Sequence, residues 1–65
     1  ASVAREGGLT EREAEILVYL ARGRTKAYIA DALFVTENTV RSHVRNIYSK
    51  LDVHTRQELL DLLER

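Results

Sequence analysis

Asn38, Arg41, Ser42, Arg45 and Ser49 are polar side chains spaced so that a helix would gather them on one side. With Val40 as origin and ~100° per residue, they occupy the arc opposite Val40, Val44, Ile47 and Leu51. The chemistry open to that arc is recognition of base edges. Arginine can donate two parallel hydrogen bonds to guanine O6 and N7, asparagine can pair with adenine N6 and N7, and serine can bond either kind of edge. The small serines would also let a helix approach closely. Asn38, Arg41, Ser42 and Arg45 are therefore the candidate base-contacting residues, with double-stranded DNA as the partner. Arginine and serine on a free helix face are commonplace by themselves, so the elements around them decide their meaning.

Those elements are two short helices and a tight turn. Thr25 is placed to cap a helix running to about Leu33, with Ile29, Ala30 and Leu33 facing inward. Phe34-Val35 forms the turn. Thr36 caps the next helix, which runs to about Leu51 without a proline to interrupt it. This is the layout of a helix-turn-helix, in which the first helix crosses the nucleic-acid backbone and the second enters the major groove. Thr25 and Lys26 stand at the amino end of the first, where free N–H groups suit a phosphate. Thr39 and Lys50 lie on the flank of the second and can hold phosphates without reading sequence. Tyr28 can either donate its hydroxyl to a phosphate or pack on the surface. Arg22 and Arg24 read as solvated charge, and His43 as a residue at the helix edge.

One helix is expected on each side of this pair. Thr10-Glu11-Arg12-Glu13 has the pattern of a capping box, Leu9, Glu13, Ile16, Leu17 and Leu20 share one side, and Gly23 ends the helix. Thr55-Arg56-Gln57-Glu58 is a second capping box. It opens a last helix with Leu59, Leu60 and Leu63 inward and Leu62 off that patch, so that Leu62 and Glu58 could form a weak symmetric contact between two copies. No segment alternates with period two. The expected fold is all-α, a compact four-helix domain over residues 9–65, preceded by a linker or lead-in at 1–8 that contains Gly7-Gly8.

Composition narrows the function. Sixty-five residues make one small domain. Without cysteine there is no disulfide and no thiolate zinc site, and neither His43 nor His54 has a ligand at metal spacing. No apolar run approaches the ~20 residues that cross a bilayer, so the segment reads as cytoplasmic, although a membrane-anchored parent is compatible with it. A beginning at Ala-Ser-Val, without Met, looks like a piece of a longer chain. The formal net charge of zero hides an asymmetry. Residues 22–50 carry Arg22, Arg24, Lys26, Arg41, Arg45 and Lys50 against Asp31 and Glu37, whereas both ends are acidic. A field concentrated on one surface can steer a polyanion even when the total cancels. No nucleophile–base pair, carboxylate dyad or phosphate loop is visible, so neither an enzyme nor a cofactor is expected.

Leu9-Thr10, Arg12-Glu13, Glu15-Ile16-Leu17, Leu20-Ala21, Gly23, Ile29-Ala30, Leu33, Val35-Thr36-Glu37, Thr39-Val40, His43, Ile47, Lys50-Leu51, Val53 and Arg56 together resemble the LuxR/FixJ/GerE-type DNA-binding domain. The resemblance covers residues 9 to about 63. It implies the output domain of a transcription regulator, often a response regulator, with an upstream sensory or receiver domain in the parent chain. It also implies a third helix in the major groove and a fourth that often mediates dimerisation. Carried over by position, base contacts fall on Arg41, Ser42 and Arg45, and backbone contacts on Thr25, Lys26, Thr36, Thr39 and Lys50. The chain departs from the pattern where Lys26-Ala27-Tyr28 replaces Asn-Lys-Glu, which removes the usual capping acid. It departs again at Asp52, where glycine is common, and at Phe34, where polar residues are frequent. The alternative is an interaction module that has lost DNA binding and docks a partner through Phe34, Tyr48 and the leucines of the last helix.

Overall fold

A computed structural model describes residues 7–64 of the chain, so most of the lead-in assigned to 1–8 lies outside the described residues. Four helices follow one another: α1 (Glu11–Ala21), α2 (Lys26–Leu33), α3 (Glu37–Leu51) and α4 (Arg56–Glu64). No strand occurs among the described residues, in agreement with the all-α expectation. α3 packs against both α2 and α1. The buried core takes Ile16, Leu17 and Leu20 from α1, Ile29 and Ala30 from α2, Val40, Val44 and Ile47 from α3, Val53 from the loop and Leu59 from α4. Each large aliphatic side chain removed from water contributes about 1.5–3 kcal/mol. The side chains of α3 opposite its buried arc are thereby left facing solvent.

Local chemistry sets the helix boundaries. Thr10 caps α1 in a complete capping box: its hydroxyl accepts from the Glu13 amide at 3.2 Å, and its own amide donates to Glu13 Oε1 at 2.9 Å. Thr55 and Glu58 repeat that exchange at the start of α4, both bonds being 3.1 Å. Gly23, at φ 77°, turns the chain out of α1. Phe34 and Asp52 end α2 and α3 in the left-handed conformation, at φ 59° and 55°. For a residue with a Cβ this conformation costs roughly 1–2 kcal/mol, and the closing bonds offset part of it. Val35 N donates to Ala30 O at 3.0 Å after Phe34, and Val53 N to Tyr48 O at 3.0 Å after Asp52. Arg56 fastens the first helix to the last, its Nη2 donating from the start of α4 to Leu20 O at 3.0 Å at the carboxyl end of α1.

α4 differs from expectation in its rotation. Leu62 and Leu63 both pack against the core around Leu59, while half-buried Leu60 lies outside that packed set. With Leu59 at the centre, positions i+3 and i+4 fall closer to it on a helix than i+1 does. The inward set is therefore Leu59, Leu62 and Leu63, and Leu62 is not the outward leucine.

Glu13 is the one charged residue in the buried set among the described residues, at 3 % exposure. Its Oε1 receives the Lys50 ammonium at 2.7 Å as well as the Thr10 amide. This joins the start of α1 to the last turn of α3. The Lys50 hydrogen bond first, and the Thr10 amide second, hold the Glu13 carboxyl below its ordinary value of 4.5 against the opposing effect of burial. A depressed carboxyl stabilises the fold fully above its unfolded value, and that stabilisation is lost as pH falls through the lower folded value. Lys50→Met should cost about 1–3 kcal/mol in urea denaturation at neutral pH, because the buried carboxylate loses its cation. Glu13→Gln should flatten the acid limb of stability below pH 4.5; a wild-type slope in that variant would remove Glu13 from the pH response.

Candidate nucleic-acid interface

The candidate reading helix begins where its cap fixes it. Thr36 Oγ1 accepts from the Thr39 amide at 3.2 Å and lies 3.0 Å from the Thr39 hydroxyl. Glu37 in the first turn complements the helix dipole, as Lys50 does in the last. Beyond the cap, Asn38, Arg41, Ser42, Arg45 and Ser49 are all exposed, while Val40, Val44 and Ile47 behind them are buried. Leu51, expected on the buried arc, is partly buried and packs against the core. The four candidate base-contacting residues thus share one solvent-facing surface. Arg41 Nη1 donates to Asn38 Oδ1 at 3.2 Å. Asn38 would use that oxygen to accept from adenine N6, and its second lone pair stays available while Arg41 is bound. An exposed contact three residues apart is worth only a few tenths of a kcal/mol, roughly 0.2–0.5, and opens readily.

The backbone-contact candidates are divided among different environments. Lys26 is exposed at the start of α2. Thr25 Oγ1 is engaged as the α2 cap, accepting from the Tyr28 amide at 3.1 Å, and the Thr36 and Thr39 hydroxyls are engaged with each other. Lys50 is tied to Glu13, with 37 % of its side chain exposed. Tyr28 is exposed at 48 %, with one side of its ring 5.9 Å from that of Tyr19 at an interplanar angle of 59°. The Arg24 guanidinium sits 5.0 Å above the Tyr28 ring. Arg24, read from the sequence as solvated charge, is exposed and in addition makes this cation–π contact. His43 is half-buried at the edge of α3.

Three features lie beyond what residue spacing reveals: the Glu13–Lys50 pair, the Arg56 anchor and the Arg24–Tyr28–Tyr19 stack. A carboxylate on an apolar arc does demand donors. Its cation, however, lies 37 positions away, and no spacing rule selects it. For the stack, the available signal is Tyr28 standing in place of the usual acid.

Around α4, Glu58 and Leu62 line one open cleft of ≈ 350 Å³ with Leu51, Asp52, Val53 and Asp61. Glu58 Oε1 also accepts from the His54 amide at 2.7 Å. Of the residues that a protein-docking surface would use, Tyr48, Leu62 and Leu63 are occupied in packing against the core and Leu59 is buried. Phe34 stands free at 94 % exposure.

A capped helix with a polar outward arc, following a short helix and a left-handed turn, defines a helix-turn-helix DNA-binding domain of the kind found in transcription regulators. The chain belongs to the luxR family of bacterial regulatory proteins, whose family model matches residues 8–63. It is 50 % identical over 50 residues to the transcriptional regulatory proteins LiaR and LnrK of Bacillus subtilis (strain 168). It is equally similar, over a stretch of the same length, to the response regulator protein VraR of Staphylococcus aureus (strain Mu3 / ATCC 700698). Each match covers 77 % of this chain but only 23–24 % of the relative, so the chain spans about a quarter of the length of these curated relatives. No solved structure matches it.

Proposed function

We propose that the chain binds double-stranded DNA sequence-specifically as the output domain of a longer transcription regulator, with α3 in the major groove. The observation that carries this reading is the two-sided α3: Val40, Val44 and Ile47 buried, with Asn38, Arg41, Ser42 and Arg45 exposed behind a capped start. These four are the base-contacting residues. Thr25, Lys26, Thr36 and Thr39 form the phosphate side of the interface, Tyr28 stands beside them through its ring, and Lys50 joins it from its position on Glu13. The much greater length of LiaR and VraR supports an upstream sensory or receiver domain in the parent. The domain works in the cytoplasm and is not itself an enzyme. None of the described helices is long and apolar enough to cross a membrane. A weak homodimer forms through α4, with exposed Glu58 and only the cleft-facing part of half-buried Leu62, whose remainder packs on the core, meeting the partner.

Sites selected from random DNA supply the test. Arg45→Ala should lose about 1–3 kcal/mol on the selected site and flatten discrimination at one base pair. Equal loss on every sequence would make Arg45 a phosphate contact instead. Sedimentation of the domain with duplexes carrying two half-sites one helical turn apart should show a two-protein complex that weakens in Leu62→Glu. Independent binding of monomers, unaffected by that change, would remove the dimer.

A further inference from the structure

We infer that Arg24 is a phosphate-binding residue of the DNA interface and that Tyr28 is its positioning residue. The inference rests on the DNA-binding reading above and assigns roles that family position does not supply. Three observations converge on Arg24. Its backbone is fixed on both sides, the amide donating to Tyr19 O at 3.1 Å and the carbonyl accepting from Arg56 Nη2 at 3.4 Å. Its guanidinium, on an exposed side chain, lies 5.0 Å over the ring of half-exposed Tyr28, whose centroid is 5.9 Å from that of Tyr19. The charge thus stands against the ring of Tyr28, a residue of the first turn of α2; that turn contains no acidic residue and includes Lys26, whereas α1, α3 and α4 all carry glutamate in the first turn.

A guanidinium attracted to a ring face keeps free the N–H edges that point away from the ring. Those edges fit phosphate oxygens in a two-bond fork. The cation–π attraction, a preference of about two- to fivefold at an exposed site, also narrows the rotamer choice before any ligand arrives, so less conformational entropy remains to be lost on binding. Tyr28 thus acts through its ring face. The replacement of the usual acid by tyrosine exchanges a group that would neutralise a nearby cation for one that positions it. The contact adds affinity without sequence preference, as phosphate contacts do.

The test measures binding of the domain to a random-sequence 30-base-pair duplex across a range of KCl concentrations, with thermal melts showing that each variant is folded. Arg24→Ala should reduce the slope of log K against log[salt] by about 0.9, one phosphate contact, and weaken binding several-fold. Tyr28→Leu should weaken binding when Arg24 is present and have little further effect in the Arg24→Ala background. Tyr28→Phe, which keeps the ring, should recover most of the affinity that leucine loses. An unchanged salt slope in Arg24→Ala would overturn the phosphate role. Additive losses in the double variant, or a phenylalanine variant as weak as the leucine one, would overturn the positioning role. If the wild-type domain did not bind the duplex at low salt, the DNA-binding reading itself would fail, an outcome distinct from both.

Discussion

A single buried carboxylate oxygen holds the two ends of this fold in register. Glu13 Oε1 closes the amino end of α1 through Thr10 and, in the same place, takes the ammonium of Lys50 from the last turn of α3. The helix that carries the proposed reading face is therefore tethered at its carboxyl end by an ion pair and clamped along its length by Val40, Val44 and Ile47. A domain this small has little core to spare, so such a tie matters more than it would in a larger one. It also gives Lys50 a structural occupation first, and whatever it offers a phosphate is exercised from that position.

The rest of the interface is built by local constraints acting in series. Thr25 and Thr36 set where α2 and α3 begin, and Phe34 in the left-handed conformation sets the angle between them. Arg56 reaches back from α4 to the carboxyl end of α1 and to the Arg24 carbonyl. That places the amino end of α2 on a braced corner. The outcome is a pair of helices whose outward residues are presented by packing and caps instead of by contacts among themselves. The Asn38–Arg41 bond on the exposed face is weak enough to yield to a ligand.

Much of this is legible in the residues because it depends on short-range rules. The capping boxes at Thr10 and Thr55, the caps at Thr25 and Thr36 and the two sides of α3 all follow from spacing of four residues or fewer, and the structure has them at the expected positions. What escapes depends on tertiary placement. The partner of Glu13 and the anchor points of Arg56 are decided by how helices meet, which periodicity does not encode. α4 shows the same limit in miniature: Leu59, Leu60, Leu62 and Leu63 are compatible with two rotations, and the packing of Leu62 and Leu63 beside Leu59 selects one of them. The contact between Arg24 and Tyr28 escapes because an exposed arginine carries no sign in its spacing of the ring it lies against.

Everything proposed for this domain turns on the outward side of α3 being the surface that meets DNA. Amide and side-chain chemical shifts of the isotope-labelled domain, followed by NMR during titration with a duplex selected from random sequence, examine that surface residue by residue. The largest changes should fall at Asn38, Arg41, Ser42 and Arg45, with a second group at the start of α2. Changes concentrated on Phe34 or α4, with the α3 residues unmoved at saturation, would place the DNA elsewhere and refute this interface.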